Sequence, residues 1–210
     1  MIHFDITKYD FSKIENKTIC IHGNKILQYF INQAQTDPMN LRTFSSSEGK
    51  TEWLNTCKNI LDIGAGCGQT IDMFRKQGKT AIGITCNPKE ILIAKQEYDI
   101  DLILSDMHDL PFEDNTFDGI IMWDVLEHSI APFIALSEAS RVLKTEGKML
   151  IYMPDESWID CSYHYSVLYP KQIQFLCDRL GLKIISIRDG LYTIQKIDFN
   201  KEEFNRKHFK

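Results

Sequence analysis

The stretch Asn59-Ile60-Leu61-Asp62-Ile63-Gly64-Ala65-Gly66-Cys67-Gly68 decides the fold. A short run rich in β-branched residues that ends in glycines reads as a buried strand turning at once into a loop. Cys67, Ile71 and Phe74 then mark one face of a helix that stops near Gly78. Glycines between strand and helix let a ligand approach the backbone and expose the N–H groups of the helix N-terminus to polar atoms. A G-x-G-x-G loop alone also suits a dinucleotide or a plain tight turn. Two features separate the readings. The third glycine follows the second by two residues, where the dinucleotide fingerprint has three. Asp62, two positions before Gly64, stands where a carboxylate could order a ligand ammonium group. An amino-acid-bearing nucleotide fits this better than a pyrophosphate.

Outward from this loop, strands and helices alternate. Thr80-Ala81-Ile82-Gly83-Ile84 reads as the next strand, and Asn87-Pro88-Lys89-Glu90 as a helix start. There Asn87 can cap, Pro88 fits the first position, and Glu90 would complete a capping box. Residues 102–104, 117–123 and 148–153 read as further strands, with Leu136, Ala139, Val142 and Leu143 as a helix face before Gly147. Pro170 opens a helix with Ile173, Leu176, Cys177 and Leu180 inward, closed by Gly181. Residues 183–187 and 192–197 join through Asp189-Gly190, a hairpin signal. The pattern is α/β, with a mostly parallel sheet, helices on both faces and an antiparallel strand late in the chain. Ligands of such sheets sit beyond the carboxyl ends of the strands. Before this region, Ile26, Tyr29, Phe30 and Ala34 recur at helical spacing, and residues 36–51 resemble a linker.

Composition bounds the function. The 210 residues fit one domain with a short extension. With 24 basic and 29 acidic residues the formal charge is −5, which disfavours a general nucleic-acid binder. No apolar run approaches a membrane span, and no secretory signal is visible at the N-terminus. The six cysteines are scattered without a C-x-x-C pair, which disfavours a zinc site or a disulfide scaffold. A cytoplasmic protein with reduced thiols is expected.

The motif at 60–68 resembles motif I of class I S-adenosylmethionine-dependent methyltransferases, and other segments match in order. These are 104–112, 117–128 (Phe117-Asp118-Gly119 through Leu126-Glu127-His128), Arg141-Val142-Leu143-Lys144 and 147–151. The resemblance covers roughly residues 56–197. It implies a Rossmann-like seven-stranded sheet of order 3-2-1-4-5-7-6 with strand 7 antiparallel, and S-adenosyl-L-methionine as cofactor, released as S-adenosyl-L-homocysteine. By the same resemblance Gly64, Ala65 and Gly66 would face the cofactor through their backbones, and Asp62 would orient its amino-acid end. Asp106 would accept from the adenine amino group with the Met107 N–H beside it, and Trp123 and Asp124 would lie near the methionine portion.

One position departs from the pattern. Where the family usually has an acid that takes both ribose hydroxyls, this chain has Thr85, followed by Cys86 and Asn87. A neutral threonine offers a weaker contact than a carboxylate. Thr85, Cys86 and Asn87 are nonetheless expected at the ribose.

On the acceptor side the candidates are Asp124, Glu127, His128 and His164. A histidine, His128 or His164, would serve as general base for a hydroxyl. Alternatively the group would hold a divalent metal, as a similar Glu-x-x-Glu-His pattern does in some methyltransferases. The metal-free version is favoured because Asp124 is one methylene shorter than the glutamate of that pattern. The expected reaction is methyl transfer to a small-molecule acceptor, at oxygen. RNA methylation and non-catalytic cofactor binding are the alternatives. Residues 1–50, including Phe30 and Phe44, are expected to cover the pocket mouth, 51–197 to form the cofactor-binding domain, and 198–210 a tail. A monomer or homodimer without nucleic-acid or membrane partners is expected.

Overall fold

The computed structural model describes Asp10, residues 51–153 and residues 164–200. The expected N-terminal helix, the linker and the pocket cover at 1–50 lie outside the described residues, Asp10 excepted, as do 154–163 and 201–210. In chain order the elements are β1 (Asn59–Ile63), α1 (Gln69–Lys76), β2 (Thr80–Thr85), α2 (Pro88–Tyr98), β3 (Ile103–Leu104) and β4 (Phe117–Trp123). There follow α3 (Pro132–Val142), β5 (Leu143–Tyr152), α4 (Pro170–Asp178), β6 (Leu182–Arg188) and β7 (Leu191–Lys196). The sheet has seven strands in the order β3-β2-β1-β4-β5-β7-β6. β1 pairs parallel with β2 and β4, β2 with β3, and β4 with β5, while β7 runs antiparallel to both β5 and β6. The sequence-based expectation of a Rossmann-like sheet holds strand by strand.

Period-two alternation explains why both faces of the sheet need helices. Leu61, Ile63, Ile120, Met122, Met149 and Ile151 point to one core, where Ala135, Leu136, Ala139, Ile173 and Cys177 of α3 and α4 meet them. Ile60, Ala81, Ile121 and Leu150 point to the other, against Ile71 and Phe74 of α1 and Ala94 of α2. A central strand that is aliphatic on both faces has no side to give to solvent, so helices must cover the sheet on both. Asp189 and Gly190 both take positive φ (48° and 77°), as a two-residue type I′ turn between β6 and β7 requires.

Two local expectations change. Residue 143 already belongs to β5, and four residues (144–147) loop out between the pairs Phe117↔Leu143 and Gly119↔Lys148, with Glu146 at φ 63°. Glu90 does not close a capping box on Asn87. The Asn87 N–H donates to Thr85 Oγ1 instead (3.0 Å), while Asn87 Oδ1 accepts from the Lys89 N–H as an N-cap should. Among the described residues no helix is long and apolar enough to cross a membrane. Cys57, Cys67, Cys86 and Cys177 are free thiols. Burial pushes the Cys57 thiol up to about 11 and that of Cys177 up to about 12, so both stay protonated packing groups at neutral pH.

Arg141 at the end of α3 ties the loop between β3 and β4 to the fold. Its guanidinium donates to Leu110 O (2.9 Å), Phe112 O (2.7 Å), Asp114 Oδ1 (2.9 Å) and both oxygens of Glu138 (2.8 and 2.7 Å). Glu138 also accepts from the Leu110 N–H (2.9 Å). Burial works to raise the Glu138 pKa, but the hydrogen bonds and charge of Arg141 outweigh it and hold the carboxyl below its ordinary value. Its stabilising contribution is therefore present above the unfolded-state pKa, near 4.3, and fades as pH falls through the depressed folded value. Arg141→Ala should cost about 2–3 kcal/mol in urea unfolding at pH 7, and the gap between wild type and Glu138→Gln should shrink below about pH 4. An Arg141→Ala midpoint equal to wild type would show that the loop is held by other contacts.

Candidate functional site

The glycine loop leaves β1 between its two neighbours. The N–H groups of Gly64 and Ala65 both donate to the carbonyl of Ile84 on β2, at 3.0 and 2.9 Å. To do so Gly64 adopts φ 75°, and a Cβ there would come within 2.2 Å of Val125 Cγ2, in the segment leaving β4. Gly83 on β2 is needed for a different reason: a Cβ would meet Ile71 Cδ1 at 2.3 Å and Ala65 Cβ at 2.6 Å. Without a side chain at 83, α1 and the loop settle directly onto the strand. Gly66 and Gly68 also take positive φ, and Gly68 is the N-cap of α1. Asp62, 3% exposed, sits in register with Gly83 on β2 and Ile121 on β4, at the carboxyl end of the sheet. A buried carboxylate beside a cradle of backbone and no Cβ fits the amino-acid end and backbone contacts of S-adenosylmethionine.

At the end of β2, Thr85 finds partners within the protein. Thr85 is buried, and its hydroxyl donates to Glu90 Oε2 of α2 while accepting from the Asn87 N–H. The threonine proton is thus committed within the protein. An acid absent at position 85 stands beside it in space, five residues on. Glu90 is only 5% exposed, and together with burial its charge raises the Cys67 thiol, burial being the larger cause. Cys86 is half-buried and packs against Leu104.

Asp106 lies just beyond β3, 4% exposed, and Met107 packs against the core under α3 and α4. Sequence reasoning missed the partner of Asp106. Asp106 Oδ1 accepts from the His108 N–H at 3.0 Å and meets His108 Nδ1 at 2.6 Å, and His108 Nε2 lies 2.7 Å from Ser129 Oγ. Ser129 Oγ also accepts from the Ala131 N–H (3.1 Å). The imidazole therefore bridges the loop after β3 to the loop after β4. An i, i+2 Asp-x-His pair was the only signal, and it looks like any polar turn.

The segment leaving β4 carries the remaining candidates. Trp123 stacks on Tyr152 of β5, centroids 4.6 Å apart and planes at 16°. Asp124 takes φ 49°, with its N–H on Tyr152 O (3.0 Å). Leu126–His128 then forms a 3₁₀ turn. The N–H groups of Tyr165 and Ser166 both donate to Glu127 O (2.9 and 3.0 Å), and Ser166 Oγ donates to Ser129 O (2.7 Å). These three bonds bring His164 beside the turn. Glu127, His128 and His164 each offer a ligand atom within 4.8 Å of the others, and the two imidazoles lie 4.9 Å apart, edge to face at 76°. Asp124 is not one of this group.

Comparison with known proteins bears on the family and the fold. A family model described as a methyltransferase domain matches residues 61–151. An uncharacterised protein of Methanocaldococcus jannaschii is 30% identical over 151 residues, covering 66% of this chain and 71% of its own. A demethylmenaquinone methyltransferase of Renibacterium salmoninarum is 30% identical over 95 residues, and the match spans 45% of this chain and 40% of that enzyme. An Archaeoglobus fulgidus protein solved as a SAM-dependent methyltransferase shares the fold at TM-score 0.57 and 22% identity, over 65% of this chain and 66% of that one.

The cradle makes a steric prediction independent of any ligand. Gly64→Ala forces a side chain into left-handed backbone and into Val125, and should lower stability by about 1–3 kcal/mol. Adding Val125→Ala should recover the steric part, read as a coupling in a double-mutant cycle of urea midpoints. Strict additivity of the two substitutions would remove Val125 from contact with the loop.

Proposed function

Because the chain belongs to the class I S-adenosylmethionine-dependent methyltransferases and takes S-adenosyl-L-methionine as its cofactor, we propose that it methylates an oxygen of a small-molecule acceptor. The observation that carries the reading is the placement of Glu127 and His128, with His164 brought beside them from the segment before α4, on the loop that also presses Val125 onto the cofactor cradle. Imidazole and carboxylate groups there suit a hydroxyl, which must lose its proton to become a competent nucleophile. A net charge of −5 and a likeness to an enzyme named for demethylmenaquinone support a small molecule over RNA.

The chain's own residues divide the work. Asp62 takes the ammonium of the cofactor's amino-acid end, and the Gly64–Gly66 backbone, with Ala65 between, lines its path. Glu90, oriented by Thr85 and with Asn87 beside it, supplies the ribose carboxylate. Asp106 takes the adenine amino group while His108 fixes the carboxylate's orientation, and the Met107 N–H lies beside it. Cys86 borders the ribose, and Trp123 and Asp124 border the methionine portion. When bound, S-adenosylmethionine supplies an electrophilic methyl on a sulfonium, so the protein has to align the acceptor oxygen, receive its proton and exclude water. His128 and His164 act on that oxygen.

S-adenosylhomocysteine at a hundredfold excess over its Kd should raise stability by ~2.7 kcal/mol, and Asp62→Ala should abolish the shift. Glu90→Gln should weaken binding by about 1.5–3 kcal/mol, the range of a charge-assisted hydrogen bond, and Thr85→Val by about 0.5–1.5 kcal/mol. Equal affinity in Glu90→Gln would move the ribose elsewhere. With methyl-labelled cofactor and a panel of hydroxylated metabolites and RNAs, label should enter a metabolite oxygen. Transfer to RNA alone, or cofactor binding with no transfer to any acceptor, would refute the proposed acceptor class.

A further inference from the structure

The Glu127, His128 and His164 group has a chemistry that simple acceptor binding does not require. We infer that these three side chains form a site for one divalent transition-metal cation, placed so that an acceptor oxygen and water complete its coordination. Its use in acceptor binding rests on the methyltransferase reading; its existence does not.

The first support is the donor set. One carboxylate oxygen and two imidazole nitrogens suit Zn²⁺, Fe²⁺, Mn²⁺ or Co²⁺, and leave open positions in either tetrahedral or octahedral geometry. Calcium, which wants six to eight oxygens, is a poor match. The second is geometry. Ligands at about 2.0–2.2 Å from one ion stand roughly 3.0–3.6 Å apart in octahedral cis or tetrahedral positions. The three donor atoms lie within 4.8 Å of one another, so side-chain movements of about an ångström would close the site. The imidazole planes cross at 76°, which lets one nitrogen of each aim at a common point, as parallel stacked rings cannot.

A third support is that the backbone holds the site together from outside. His164 is 36 residues beyond His128 in the chain, and it is carried to the 3₁₀ turn by the Tyr165 and Ser166 N–H bonds to Glu127 O and the Ser166 hydroxyl bond to Ser129 O. Ser129 is in turn fixed by His108. These contacts use main-chain atoms and hydroxyls, and His128 Nε2 already faces Glu127 Oε1 at 3.8 Å. Finally, Glu127 is 2% exposed, and a buried carboxylate gains more from a full positive charge than a surface one does. With a 2+ ion and two neutral imidazoles the centre carries a net charge of +1, enough to draw in and acidify a hydroxyl.

The shortness of Asp124 favoured a metal-free site on sequence grounds. The spatial group does not include Asp124, so that objection no longer applies.

The test uses the full chain, stripped with chelator and titrated with Co²⁺ while its visible d–d absorption is followed, with Zn²⁺ as competitor. One equivalent of Co²⁺ per chain should produce the band, and Zn²⁺ should remove it. Glu127→Gln, nearly isosteric, and His164→Ala should each weaken Co²⁺ binding by about tenfold or more, while the S-adenosylhomocysteine thermal shift persists as the measure of an intact fold and cofactor site. Absence of the band in wild type, or an equal band and affinity in both variants, would overturn the metal site. A normal Co²⁺ titration with no S-adenosylhomocysteine shift would leave the metal site standing and sink the methyltransferase reading instead.

Discussion

The carbonyl of Ile84 accepts two hydrogen bonds, from Gly64 and Ala65, and the rest of the site depends on that pairing. It bends the chain off β1 toward β2 at the carboxyl edge of the sheet. The bend needs positive φ at Gly64, and the absence of a Cβ there lets Val125 close over it from the β4 side. Gly83 makes the same allowance beneath, where Ile71 and Ala65 occupy the volume of its missing side chain. The loop is thus fixed by strands on both sides, and its backbone is presented without flexible side chains. Preorganisation of this kind is what lets a cofactor bind without ordering its host first.

From that bend the two ends of the site diverge along neighbouring strands. On the β2 side, Thr85 and Glu90 form a buried hydroxyl–carboxylate pair that restores an acid where the strand itself lacks one. On the β4 side, the loop after Val125 carries Glu127 and His128 and is pinned to His164. His108 joins the far end of the first to the second through Asp106 and Ser129. Asp106 and the loop after β4 consequently share one hydrogen-bonded chain, so a substitution at His108 is felt at both.

Much of this could be read from the sequence. The alternation of apolar runs, the glycine spacing and Asp189-Gly190 are local signals, and each gave the right element because local preference and tertiary packing agree there. Glu90 was misread because the same residue three positions after Asn87 satisfies two rules. Capping-box spacing pointed to the Asn87 N–H, but Thr85 takes that N–H and leaves the carboxylate to the threonine hydroxyl. The β5 bulge at 144–147 was missed because Gly147 is as good a helix stop as it is a strand irregularity. His108, Ser129 and the reach of Arg141 to Leu110 and Phe112 are products of folding, since their partners lie 21 to 31 residues away and no periodicity links them. Glu127, His128 and His164 were legible as a list of residues, though their grouping in space, which leaves out Asp124, was not.

The central claim is that the bend at Gly64 seats the cofactor with its amino-acid end at Asp62 and its adenine at Asp106. A crystal structure of the full chain with S-adenosylhomocysteine tests it most directly. The account predicts density across the carboxyl edge of β1 and β2, with the ammonium at Asp62, the ribose hydroxyls at Glu90 and the adenine amino group at Asp106. Density for the ligand at any other edge of the sheet, or with its ends reversed between Asp62 and Asp106, would contradict it.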